Sequence, residues 1–125
     1  MLEKLGLIAL AGAAGTLARY WLSGLVYEVA GREFPWGTAA VNILGCFLFG
    51  LVWELGSDRM ILRTETRAVL LTGFMGAFTT FSTFIFESGA FLEEGRILPA
   101  LANVGFQTVL GFAALFGGLM LGRML

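Results

Sequence analysis

The sequence predicts an all-α membrane protein in which four helices cross the bilayer, and three observations carry that prediction. Of 125 residues, 58% are hydrophobic and only 14% charged, with a mean hydropathy of +0.84. A soluble domain of this length has too little interior to hide so much apolar surface, whereas lipid accepts it. The apolar residues fall into four runs, each near the ~20 residues that a spanning helix needs. The connections between runs are short (Ala30 to Pro35, Gly56 to Arg67, Leu92 to Ile97). Consecutive helices are therefore antiparallel neighbours within one four-span membrane domain over residues 1–125.

The first span runs from Leu5 to about Val29. Lys4, the apolar run and Ala11-Gly12-Ala13 have the outline of a secretory signal, but the run continues well past that point. Arg19 interrupts the span about two-thirds along. An arginine at that depth costs several kcal/mol unless paired or wetted. Two readings follow: snorkelling to an interface beside Tyr20 and Trp21, or a vestibule cation that attracts anions. The second span, Trp36 to Leu55, opens after Pro35, a residue suited to a first helical turn. Thr38, Asn42 and Gly45 share one of its faces. Asn42 is a neutral donor for an anion or a hydrogen-bond link between helices.

The third span, Ala68 to Phe91, ends at Glu93-Glu94-Gly95-Arg96 and carries the strongest signal. Gly73 to Phe84 mixes four hydroxyls, two glycines and four phenylalanines deep in an apolar run. Lipid offers hydroxyls and bare backbone no partners, so this segment faces protein or a water-filled path. Phe81 and Phe84 lie on one side of a helix, near Thr80 and Thr83, and Glu87 continues that line one turn on. Hydroxyls compete for backbone groups and glycine weakens helices, which places a break near mid-span, between Gly76 and Thr80. Carbonyls freed there can bind a cation, and the positive ring edges of phenylalanine can attract an anion. Hence the segment points to transport of a small anion rather than to a plain anchor. The fourth span, Leu98 to Leu121, opens near Pro99 and carries one stripe: Asn103, Gln107, Gly111, Ala114, Gly118 and Gly122. One end of that face is a polar lining and the other a packing contact.

The remaining composition narrows the function. A net charge of −1 with scattered basic residues excludes nucleic acid as a partner. Histidine is absent and the serines have no evident base, so no enzyme chemistry stands out. The single Cys46 reads as a small packing residue. Lys4, Arg59, Arg63, Arg67 and Arg123 outnumber Arg32 and Arg96 on the opposite side. That bias puts the N-terminus in the cytoplasm, by a margin small enough to leave insertion both ways open. The 18 glycines include pairs four apart (Gly118/Gly122) and partners such as Ala11/Gly15 and Gly12/Thr16. So many close-approach faces predict a homodimer.

Two motifs go further. Gly-Thr-x-x-Val-Asn-x-x-Gly-Cys-Phe (Gly37 to Phe47) and Gly-Phe-x-Gly-x-Phe-Thr-Thr-Phe-Ser-Thr-Phe (Gly73 to Phe84), with Gly15-x-x-x-Arg19-Tyr20, closely resemble the Fluc (CrcB-like) fluoride channels of bacteria. The resemblance covers essentially the whole chain. It implies an antiparallel, dual-topology homodimer in the bacterial inner membrane, with two pores that pass fluoride passively and limit its toxic accumulation. It implies that Phe81 and Phe84 line the pores with their ring edges, that Asn42 is a pore donor, and that Ser82 and Thr83 belong to a polar track. Backbone carbonyls of Gly76 and Thr79 from both subunits would hold a central Na⁺. Glu87 would lie near a pore end and Arg19 near a vestibule. The family commonly places an aromatic and then serines along the pore side of the fourth span. Here Asn103, Gln107 and Gly111 stand on that face, with the two amides as donors to the anion. Two other readings compete: a small proton-coupled multidrug exporter, which needs an embedded carboxylate such as Glu87, and a noncatalytic membrane assembly subunit.

Overall fold

The computed structural model describes residues 1–57 and 60–125. Arg59, one of the basic residues weighed for orientation, lies outside the described residues with Asp58. Helix α1 spans Leu2–Ala30, α2 Trp36–Gly56 and α3 Thr64–Ala68. A π-helical stretch follows over Val69–Met75, then α4 (Gly76–Phe78), α5 (Phe81–Glu93) and α6 (Ile97–Met124). Four segments are long and apolar enough to cross a membrane: Leu2–Ala30, Trp36–Gly56, Thr64–Glu93 and Ile97–Met124. The protein is therefore a multi-pass membrane protein, with α3 to α5 forming the third span.

The observed helices outrun the apolar runs at both ends, except that α2 starts at Trp36 as expected. The third span starts at Thr64 rather than Ala68, because Thr64 to Arg67 contains no breaker and hydropathy ends before helicity does. Arg67 thereby joins the helix, and its guanidinium lies 4.8 Å from the centre of the Trp53 ring. The far end of the third span closes on Gly95, whose φ is +74°. Arg96 N–H donates to Phe91 O and Gly95 N–H to Leu92 O, the paired bonds that satisfy the last carbonyls of a helix ended by a left-handed glycine.

Small residues set the packing. The most extensive contact joins α2 to α6, followed by α1 against the π-helical stretch. A Cβ on Gly118 would collide with Phe47 O, and one on Gly50 with Leu115 O. Gly15 meets the Phe74 carbonyl in the same way, and Gly73 meets Ile8 O and the Ala11 methyl. The Ala11/Gly15 and Gly118/Gly122 faces close inside the protomer, so they do not supply the argument for a homodimer.

The interior is as polar as it is apolar. Val41 and Asn103 are the largest fully buried side chains, and Thr38, Thr80, Ser88 and Gln107 are buried with them. Large apolar residues such as Leu10, Val109 and Phe116 point outward. Lipid removes the need to bury apolar groups, so the bundle centre goes to groups that lipid would leave unpartnered.

Candidate functional site: the polar break in the third span

The break consists of Thr79 (φ −87°, ψ 159°) and Thr80 (φ −147°, ψ 109°). It falls at the C-terminal end of the interval expected from sequence, and Gly76 to Phe78 stay helical. Capping chemistry, not glycine, places it. Thr79 turns both its N–H and its hydroxyl to Met75 O, at 3.1 Å and 3.0 Å. The Thr80 hydroxyl then accepts the Thr83 N–H at 3.3 Å, capping α5. The same hydroxyl donates to Thr83 Oγ1 at 2.9 Å.

Asn42 on α2 clamps the break. Its Oδ1 accepts the Thr80 N–H at 2.7 Å, and its Nδ2 donates to Thr80 O at 3.1 Å. The second Nδ2 hydrogen goes to Gln107 Oε1 at 2.8 Å. A primary amide has two hydrogens, so both are committed within the protomer. Gln107 Nε2 donates to Asn103 Oδ1 at 2.8 Å, Asn103 Nδ2 to Ser88 Oγ at 2.9 Å, and Ser88 Oγ to Phe84 O at 2.9 Å.

The clamp frees two carbonyls. In a continuous helix Gly76 O would accept from Thr80 N–H and Thr79 O from Thr83 N–H. Those donors go instead to Asn42 Oδ1 and Thr80 Oγ1. Gly76 itself is exposed. Two hard carbonyl oxygens at one break are a donor set that suits a small hard cation such as Na⁺.

Most of the sequence-predicted residues separate into two groups that border different cavities. Asn42, Thr79, Phe81, Phe84 and Gln107 border one cavity of about 480 Å³, with Cys46 and Thr108. Among the described residues no Asp, Glu, Lys or Arg borders it. The Phe81 and Phe84 ring centres lie 5.9 Å apart, tilted by 51°, and Phe81 is 74% exposed. Arg19, Thr83 and Glu87 border a second cavity of about 310 Å³, with Thr16, Ser23 and Thr80. Glu87 Oε1 accepts the Thr38 hydroxyl at 2.5 Å, and Tyr27 and Thr38 share a bond of 3.3 Å. Ser82 is exposed and borders neither cavity. Asn103 is fully buried and also borders neither.

Sequence reasoning missed Ser88 as a site residue, and it passed over Tyr27. Ser88 lies one turn beyond Phe84, but only the pairing of α5 with α6 shows that it meets Asn103. Tyr27 lies near the end of α1, and only the packing of α1 on α2 brings it to Thr38.

The fold and site define a small polytopic membrane protein with an uncharged, amide-lined cavity beside a broken helix. The CrcB-like protein family model (Camphor Resistance, CrcB) matches residues 6–119, and the chain belongs to that family. It is 82% identical over 125 residues, the full length of both chains, to the fluoride-specific ion channel FluC of Solidesulfovibrio magneticus. It is 51% identical over 125 residues, again all of both chains, to the protein of that name from Nitrosococcus oceani. It is 52% identical over 123 residues to that of Nitratidesulfovibrio vulgaris, covering 98% of this chain and 99% of the relative.

Proposed function

We propose that this chain is a passive, fluoride-selective channel of the bacterial inner membrane that lets fluoride leave the cytoplasm and so limits its toxicity. One observation of the site carries the reading. The cavity between α2, α5 and α6 combines two phenylalanine rings with amide and hydroxyl groups, and among the described residues none at its border is charged. Fluoride is small and strongly hydrated, so a path must offer donors in place of water. A fixed cation would hold the ion, whereas neutral donors and ring edges bind weakly enough to let it go. The full-length similarity to proteins named fluoride-specific ion channels supports the same substrate. Neither drug export nor an assembly role draws support from those relatives. Glu87, the carboxylate that export would need, is bonded to Thr38.

In this reading Phe81, Phe84, Asn42 and Gln107 form the pore wall, with Thr83 and the exposed Ser82 on the polar track. Arg19 and Glu87 belong to the adjoining vestibule, and Asn103 supports the wall from behind. Phe81 faces outward, as expected of a ring completed by a second copy inserted in the opposite sense, giving two pores per homodimer. The Gly76 and Thr79 carbonyls of both copies would hold a structural Na⁺ at the centre, where it would supply positive charge for oxygens that lack N–H partners.

Fluoride efflux from proteoliposomes, read with a fluoride electrode and with chloride as control, tests the proposal. Phe81→Ile is expected to cut fluoride efflux about tenfold or more, equivalent to about 1.4 kcal/mol of barrier, while the dimer persists. Unchanged efflux would remove the ring-edge role. Equal passage of chloride by the wild type would remove fluoride selectivity.

A further inference from the structure

The hydrogen bonds around the break form a chain that begins and ends on the backbone of α5 and its cap. Thr80 N–H donates to Asn42 Oδ1, Asn42 Nδ2 to Gln107 Oε1, and Gln107 Nε2 to Asn103 Oδ1. Asn103 Nδ2 then donates to Ser88 Oγ, and the Ser88 hydroxyl to Phe84 O. Every donor points the same way. A backbone N–H can only donate, so Thr80 dictates that the Asn42 oxygen faces it. That choice turns the Asn42 nitrogen to Gln107, and each later amide is forced in turn. The last link ends on the carbonyl of Phe84, one of the two rings at the cavity.

We propose that this chain is a one-way positioning relay, with Asn103 and Gln107 as its positioning residues. It locks α2 and α6 onto the two ends of the Phe81–Phe84 turn and fixes which amide hydrogens face the cavity. Asn42 keeps none free, since its two hydrogens go to Thr80 O and Gln107. Gln107 donates one hydrogen to Asn103 and borders the cavity, so its second hydrogen is the amide donor left for an anion. The inference rests on the proposed anion path and adds that the direction of the bonds matters, not only their presence. Asn103 isolates that claim, because it is fully buried and borders neither cavity. At its position one atom must accept from Gln107 while another donates to Ser88.

Asn103→Asp tests direction with little change of shape. A protonated carboxyl can accept from Gln107 and donate to Ser88, as the amide does. An ionised one only accepts, so the Ser88 hydroxyl must turn toward it and release Phe84 O. The anion flux of the Asp variant, divided by wild-type flux at the same pH, is expected to fall several-fold as pH rises. Asn103→Leu is expected to be low at every pH. Titratable groups on the packed elements (Glu87 and Glu93 on α5, Cys46 and Glu54 on α2, with Arg123 on α6 itself) are common to variant and wild type, so the ratio removes them. A ratio that does not change with pH, or wild-type flux in the Leu variant, overturns the relay. Ser88→Ala is a smaller change that removes only the last link. It is expected to lose flux several-fold, and wild-type flux there also overturns the proposal. Because the ratio can be read in whatever anion the wild type conducts, a failure of fluoride selectivity and a failure of the relay give different results.

Discussion

At the residue scale the decisive side chain is Asn42. Its sequence context leaves two roles open, a donor to a passing anion or a link between helices. The structure gives it three bonds, two to the backbone of Thr80 and one to Gln107. Removing it strands a Thr80 N–H and a Gln107 carbonyl in a water-poor interior, at about 1–3 kcal/mol for each unsatisfied group. Asn42→Ala is therefore expected to destabilise the folded protein by about 2–4 kcal/mol, measured by SDS titration, and to abolish fluoride efflux. Wild-type stability in that variant would mean that other groups cap α5. The residue type and its register were legible in the sequence. The partner was not, because Thr80 presents its backbone only when the helix breaks beside it. Arg19 teaches the converse. Its depth in the first span left snorkelling and a vestibule role open, and it borders a cavity with Thr83 and Glu87.

At the element scale the third span shows how much a pattern can say. Its hydroxyls located the break to within a few residues, since Thr79 and Thr80 compete for backbone groups there, whereas Gly76 stays helical. They did not announce the π-helical stretch over Val69–Met75, because Val69-Leu70-Leu71 has no feature that favours a wider turn. That stretch lies where α1 makes a close approach, with Gly15 against Phe74 O and Gly73 against Ile8 O. Tertiary contact, not local preference, accompanies the altered winding. A paired substitution separates contact from propensity. Gly15→Ala drives a methyl into the Phe74 carbonyl and is expected to destabilise by about 1–3 kcal/mol. Gly6→Ala meets nothing within 4 Å and is expected to be neutral or stabilising by up to about 1 kcal/mol. Thermal melts in detergent would read both. Similar shifts for the two would show that helix propensity, not the α1 contact, governs this face.

At the scale of the whole molecule the open question is what completes the pore wall. The sequence argument from small residues pointed to a homodimer for a reason the fold removes, since Gly15, Gly73, Gly118 and Gly122 are all used within one protomer. The proposed dimer rests instead on the exposure of Phe81 at 74%, beside the cavity it borders. Charge bears on the proposed arrangement. Among the described residues Lys4, Arg63, Arg67 and Arg123 lie at one end of the bundle and Arg32 and Arg96 at the other. So modest a bias permits insertion in both senses. If copies insert equally in both senses, a reporter at one end is reached from outside in about half of them, as an antiparallel two-fold pair requires. Glu93 is exposed just before the turn at Gly95, and Cys46 is the single native thiol. Glu93→Cys in a Cys46→Ser background is therefore expected to react with an impermeant maleimide to about half completion on intact spheroplasts, and fully after lysis. Labelling that is complete or absent before lysis would fix one orientation. Any second wall beside Phe81 would then have to come from a parallel copy, and a central site built from oppositely directed breaks would be lost even if fluoride flux survived.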